Sequence, residues 1–203
     1  MDDAELQRRK DLCTATIERI ARDVPAQRPA PSIRYVDKLS AHGRFVAGKN
    51  EIQIGIVGDL GDPAFDDGMI EALAAHEMGH WADPTLDATM RRSQIVCNTP
   101  FVVGVLAGLA IALHAAITTN ADQVYAAVAA LVFGVMLQVM FSPFFDWKGE
   151  FFADRFAAAQ TSPDKVVALL ARFGTRWMWI PTPTHPSRAQ RVRAVIRTPV
   201  PTD

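Results

Sequence analysis

The chain has 203 residues, which is long enough for one domain with a substantial core. Its 21 basic and 22 acidic residues give a net charge of -1 at pH 7, so no global positive field points to a nucleic acid partner. The two cysteines, Cys13 and Cys97, exclude a disulfide framework and a CxxC metal site.

The N-terminal part of the chain predicts one helix followed by short strands. Apolar residues recur at helical spacing among charges over residues 3–22, which indicates an amphipathic helix. Three prolines then favour a stiff linker: Pro25, Pro29 and Pro31. Short β-branched segments predict strands at Ile33–Val36, Arg44–Ala47 and Glu51–Val57. We expect a loop at Gly58–Gly61.

The next predicted helix carries the main chemical signal. Asp66 or Asp67 caps an amphipathic helix that runs to about Ala82. It contains an HExxH pattern, whose two histidines, His76 and His80, face the same way and can share one metal ion. Glu77 lies on the same turn, where it can act on a water molecule as the catalytic base. The alternative is a chance match in an ordinary helix, for which the composition predicts roughly 0.004 occurrences.

An apolar insert follows this helix. Residues 93–121 and 123–145 contain no Asp, Glu, Lys or Arg. Within them, Phe101–Ile117 and Val124–Phe141 approach the about 17–25 residues that a membrane-spanning helix needs. The alternative is a buried hairpin in a soluble core, because each run contains a polar residue, His114 or Gln138. Two consecutive uncharged helices favour a transmembrane hairpin over residues 93–147.

Flanking charges predict the orientation of this hairpin. Arg91 and Arg92 precede it and Lys148 follows it, whereas the tip around Asn120 has no Lys or Arg. The positive-inside rule then places both soluble flanks in the cytoplasm of an integral membrane protein, in the inner or plasma membrane if the source is bacterial.

The third metal ligand is expected after the hairpin. The extended motif HExxHxxGxxH fails, since Asp83 and Leu86 replace its Gly and its last His. Glu150 is the one glutamate after the HExxH pattern, and Asp154 follows it at i+4 on the same helical face. Glu150 can therefore bind the metal while Asp154 accepts from a ligand histidine. The alternative is a solvated helix face beyond a membrane span.

The C-terminal part predicts two further helices. Ser162 and Pro163 cap one that ends near Phe173, and the last runs from Pro186 to Ile196. Arginines on the last helix predict a solvated face near anionic lipid: Arg188, Arg191 and Arg193. Trp177 and Trp179 are typical of interfacial anchors.

The order of these elements resembles a known family. Over about residues 30–197 the chain resembles the membrane zinc metallopeptidases of the HtpX and CAAX prenyl protease type, which are gluzincins. The shared order is a short β region, HExxH, a two-span hairpin, an ExxxD helix and the late element Thr184-His185-Pro186-Ser187-Arg188. The resemblance implies an α+β fold: a mainly helical zincin-like metalloprotease domain with a small β-sheet, interrupted by a two-helix transmembrane hairpin.

The resemblance also implies residue roles. The zinc ligands would be His76, His80 and Glu150, with Glu77 as base and Asp154 behind the ligands. His185 would stabilise the tetrahedral intermediate, and Arg188 could support the same charge or orient His185. In the family a strand before the catalytic helix binds the substrate backbone, and Ala47–Ile52 would be that region.

These observations predict an organisation and an activity. We expect an N-terminal helix and linker over 1–30, a catalytic domain made of 31–92 and 148–203, and the hairpin 93–147 inserted in it. The expected protein is a membrane-anchored endopeptidase with one Zn²⁺ per chain. It would cleave peptide or protein substrates at the cytoplasmic surface of the lipid bilayer, in membrane-protein quality control or precursor processing.

Two alternatives remain open. One is a non-catalytic membrane scaffold or chaperone-like adaptor that retains the protease fold, which the intact Glu77 disfavours. The other is an intramembrane metalloprotease with HExxH inside a span, which the acidic residues of the catalytic helix disfavour: Asp66, Asp67 and Glu71.

Overall fold

The computed structural model of the chain describes residues 1–25, 27–37, 42–118, 121–173 and 185–197. The helices are α1 (Asp3–Asp23), α2 (Asp67–Ala82), α3 (Leu86–Thr118), α4 (Ala121–Gln160), α5 (Pro163–Arg172) and α6 (Arg188–Arg197). The strands are β1 (Ser32–Val36), β2 (Gly43–Val46) and β3 (Glu51–Gly55). A mostly helical chain with one small sheet confirms the predicted α+β class. Asn120, Trp177 and Trp179 lie outside the described residues.

The described residues fall into two compact units. The first contains those of Met1–Leu86, Gly149–Pro181 and Pro186–Asp203, and the second those of Asp87–Lys148 and Thr182–His185. The first unit holds the sheet, and the second holds most of the apolar insert. The domain boundaries expected from the sequence stay predictions.

Helix α1 is amphipathic, as predicted. Asp2 caps it by accepting a hydrogen bond from the Glu5 backbone N–H at 2.7 Å. Its apolar face is fully buried against α2 and carries Cys13, Ile17 and Ile20. Because these residues recur every three or four positions, the helix joins the core along one stripe.

The sheet places the third strand in the middle. The strand order is β1-β3-β2, with β3 parallel to β1 and antiparallel to β2. The three strands lie close to the predicted positions, but Ala47–Lys49 forms a 3₁₀ turn. Residues Ala47–Ile52 therefore do not form the expected single extended strand, and their binding of substrate backbone stays a prediction. Both edges of β3 are already hydrogen-bonded, so it cannot accept a further strand.

The predicted loop at Gly58–Gly61 is also different in the structure. Ile56–Leu60 forms a single π-helical turn, and the Gly61 N–H donates to the Ile56 carbonyl at 2.8 Å. A Cβ on Gly61 would lie 2.9 Å from that oxygen, so the glycine permits the close approach.

Helix α2 is central and is not amphipathic. Asp66 caps it by accepting from the Met69 N–H at 2.8 Å, as predicted. Residues 72–79 are buried on every side, because α1, β2 and α5 all pack around this helix. The amphipathic interpretation is wrong, because eight consecutive residues that cover every side of the helix are buried, including the polar residues His76 and Glu77.

Helices α3 and α4 form the bulk of the second unit, and both extend beyond the apolar runs. The first begins at Leu86, and the second continues without a break to Gln160, so the expected separate helix from Lys148 is the end of α4. Both contain a segment that is long and apolar enough to cross a membrane. In each helix, 11% of this apolar segment is buried.

Small residues form the contact between α3 and α4. A Cβ on Gly104 would lie 2.8 Å from the Ala130 carbonyl oxygen, and one on Gly134 would lie 3.0 Å from the Pro100 oxygen. Such contacts allow the two helix backbones to pack closely. Near the far end of α3, Nδ1 of His114 lies 2.6 Å from Oε1 of Gln123.

Helices α5 and α6 complete the first unit. Ser162 caps α5 by accepting from the Lys165 N–H at 3.3 Å, as predicted. Around α6, the buried residues recur every four positions, at Ser187, Arg191 and Val195. The assignment of Arg191 to a solvated face is therefore wrong, because the residue is 3% exposed and its guanidinium faces the interior.

Candidate metal centre

The candidate site lies where α2 and the C-terminal part of α4 meet. A Cβ added to Gly79 would lie 2.6 Å from Cα of Ala153, so the two helix backbones are in direct contact there. Gly79 is the last residue between the two histidines of HExxH, and Ala153 lies between Glu150 and Asp154. The close approach therefore brings the predicted ligands of both helices together.

Three side chains converge on one point. Nε2 of His76 lies 3.7 Å from Oε2 of Glu150, and Nε2 of His80 lies 3.7 Å from Oε1. All three ligand atoms lie within 4.8 Å of one another. These distances are too long for hydrogen bonds. They fit one shared ion, since tetrahedral zinc ligands at about 2.0–2.1 Å from the metal lie roughly 3.4 Å apart.

Two buried residues support the ligand side chains. Oδ1 of Asp154 lies 3.0 Å from Nδ1 of His76, which directs the opposite ring nitrogen towards Glu150. Arg191 donates to both oxygens of Asp154, at 2.8 and 2.7 Å, and its third nitrogen lies 3.1 Å from Oε2 of Glu150. This bidentate pair fixes the carboxylate of Asp154, which is 1% exposed.

Burial sets the charge states of the metal-free histidines and of Asp154. Burial lowers the pKa of His80 to about 4, so this ring is neutral at pH 7 and keeps a lone pair for a metal. For His76, burial opposes the charged form but Asp154 outweighs it, and the pKa lies above its ordinary value. Burial would raise the pKa of Asp154, yet the hydrogen bonds from Arg191 hold it well below its usual range.

Glu77 lies beside the ligands against strand β2. Its side chain is almost fully buried, and burial raises the pKa of this carboxyl to about 7, which the Phe45 backbone N–H partly opposes. A Cβ on Gly43 would lie 2.7 Å from Oε1 of Glu77, so only glycine leaves room for the carboxylate there. A carboxyl group with a pKa near 7 can both accept and return a proton at neutral pH.

The structure brings together five of the seven residues selected from the sequence: His76, Glu77, His80, Glu150 and Asp154. His185 is exposed, and its catalytic role stays a prediction. Arg188 is partly buried, and the guanidinium that contacts Asp154 and Glu150 is instead that of Arg191. The i, i+4 spacing of Ser187, Arg191 and Val195 on one helix face is the sequence signal that could have identified Arg191 as a buried residue.

Comparison with known proteins gives one match. The family model described as Peptidase family M48 matches residues 7–198, which is nearly the whole chain and includes every residue of this site. No curated protein and no solved structure matches the chain.

Removal of the Arg191 side chain tests how much the site depends on it. Arg191→Met leaves the Asp154 carboxylate buried without its cation, so the free energy of unfolding should fall by about 3–5 kcal/mol. Urea unfolding of the metal-free protein in detergent measures this change.

The matched control is Arg193→Met on the same helix. Arg193 is exposed, so this substitution should change the free energy of unfolding by less than about 0.5 kcal/mol. Asp154→Asn added to Arg191→Met should recover part of the loss, because it removes the unpaired charge. Equal stabilities of the two arginine variants would contradict this account.

Proposed function

The chain belongs to peptidase family M48, and we propose that it is a membrane-anchored zinc endopeptidase that cleaves peptide bonds at the cytoplasmic membrane surface. Membership establishes a metal-dependent peptidase that acts on peptides or proteins. Zinc, the endopeptidase mode, the membrane anchor and the orientation are our proposals. Membrane-protein quality control and precursor processing are the roles that suit such an enzyme.

The observation that carries the proposal is the convergence of His76, His80 and Glu150 beside a buried Glu77. Two imidazoles and one carboxylate form a donor set that suits zinc and leaves a position open. Asp154 fixes the ring of His76, as a carboxylate behind a zinc ligand does. We therefore assign His76, His80 and Glu150 as the ligands. Bound zinc would supply Lewis acidity to the scissile carbonyl and to water.

Glu77 has the properties of the general base. Its carboxyl lies next to the ligands and has a pKa of about 7, so it can take a proton from the attacking water. The same group can then pass that proton to the leaving amine. We also propose, from the family resemblance, that His185 donates a hydrogen bond to the developing oxyanion and that Arg188 supports it.

We place the substrate along the outer edge of β2. The Gly55 N–H donates to the His42 carbonyl at 3.0 Å, and hydrogen-bonded pairs alternate along an antiparallel ladder. The backbone N–H and C=O groups of Gly43 and Phe45 therefore point away from β3. Glu77 lies against Gly43 and interacts with the Phe45 N–H, so a peptide paired with the remaining outward groups of this edge would pass the proposed base.

The membrane anchor is proposed from α3 and α4. Their apolar segments are long enough to span a bilayer and are mostly exposed. Arg91, Arg92 and Lys148 flank the hairpin, which favours a cytoplasmic catalytic unit. Two spans return the chain to the side it left, as ligands from both α2 and α4 require.

Replacement of the base tests the catalytic assignment. Glu77→Gln keeps the size of the side chain but cannot accept a proton, so cleavage of casein should fall by roughly 100-fold or more while bound zinc is retained. Metal content and peptide release are measured on the same purified sample. The control is Glu71→Gln on the same helix. Glu71 pairs with Lys165, so this variant should keep turnover near that of the wild type. Wild-type turnover in zinc-loaded Glu77→Gln would refute the mechanism.

Single cysteines test the orientation. In a Cys13→Ala, Cys97→Ala background, Asn120→Cys should react with a membrane-impermeant maleimide in intact cells, and Lys49→Cys should react only after permeabilisation. Lys49 is exposed in the catalytic unit. Labelling of position 49 in intact cells would place the catalytic unit outside. Recovery of the protein in the aqueous fraction without detergent would contradict membrane anchoring altogether.

A further inference from the structure

One charged residue on β2 would lie directly opposite a residue of a substrate strand added to the outer edge. Gly43 and Phe45 pair with Ile54 and Ile52, which are fully buried in the core. Arg44 pairs with Gln53, and since side chains alternate along a strand it projects from the opposite face of the sheet. Arg44 is exposed on that face, where a side chain of a strand added along the outer edge of β2 would lie next to it.

The guanidinium is held in place but retains free donors. Nε of Arg44 donates to Oε1 of Gln53 at 2.7 Å, and Nε2 of Gln53 donates to Oε1 of Glu51 at 2.5 Å. Within the described part of the chain, the two terminal nitrogens of Arg44 make no hydrogen bond. A guanidinium fixed through Nε presents these remaining N–H groups to a neighbouring carboxylate.

The charges along this edge have one sign. Between Gly43 and Asn50 the charged residues are Arg44 and Lys49, and both are exposed. Glu51 is on the inner strand β3 and is engaged by Gln53. A side chain on an added strand directly opposite Arg44 would therefore meet positive charge.

We propose that Arg44 selects substrates with an aspartate or glutamate at one position close to the scissile bond. The inference rests on the proposed peptidase function and on binding of the substrate along β2. Directly opposed residues on adjacent strands have Cβ atoms about 4.5–5.5 Å apart, which suits an ion pair. The preferred residue lies within about three positions of the cleaved bond, because Arg44 is between the two residues that contact Glu77.

Cleavage-site profiling tests this directly. Zinc-loaded wild-type protein in detergent is incubated with a library of peptides from a digested proteome, and new termini are identified by mass spectrometry. We expect aspartate and glutamate to be enriched about fivefold at one position within three residues of the bond. Arg44→Gln should abolish the enrichment, and Arg44→Glu should replace it with lysine and arginine.

The matched control is Arg34→Glu. Arg34 is exposed and pairs with the same Gln53, but it lies on β1 at the other edge of the sheet. This variant should keep the wild-type profile.

The outcomes separate the two proposals. Cleavage without acidic enrichment, or the same profile for Arg44→Glu and wild type, would overturn the selection by Arg44 and leave the peptidase function standing. No cleavage by the zinc-loaded wild type would overturn the peptidase function and this inference together.

Discussion

The candidate metal centre depends on the distance between two helix backbones. Helices α2 and α4 touch at Gly79, where a Cβ would lie 2.6 Å from Cα of Ala153. Side chains of His76 and His80 on one helix and Glu150 on the other are short, so they can reach a common ion only when the helices are this close. A larger residue at position 79 would separate them by more than the site tolerates. The glycine inside HExxH is therefore a packing requirement of the proposed ligand set.

The close approach has an electrostatic consequence. It buries the carboxylate of Asp154 against His76, and a buried carboxylate without a cation would be costly. Arg191 resolves this by pairing with Asp154 through two hydrogen bonds and by contacting Glu150 with its third nitrogen. Helix α6 is thus tied to α4 through the site itself, and the C-terminal part of the chain contributes to the geometry of a centre formed by distant segments.

Sequence alone predicts the parts of this arrangement that are local. Each of the motifs HExxH and ExxxD places its residues on one face of its own helix. Glu150 is the one glutamate in the sequence after His80. The contact of Arg191 with the site could not be predicted, because its burial depends on which face of α6 packs inward. The proposed role of β2 could not be predicted from the sequence, because the strand order β1-β3-β2 places the third strand in the centre, which chain order does not reveal. Both depend on tertiary pairing, whereas helix caps such as Asp66 and Ser162 are encoded within a few residues.

The central claim is that two histidines and a carboxylate from α2 and α4 hold one zinc ion. X-ray absorption at the zinc edge, on purified protein with one zinc per chain, measures the ligand types directly. The account predicts two imidazole nitrogens at about 2.0–2.1 Å from the zinc, with oxygen atoms as the remaining ligands. In Glu150→Ala the ligand distances around the zinc should become more variable. Sulfur scattering at about 2.3 Å, or a shell of oxygen without imidazole, would contradict it.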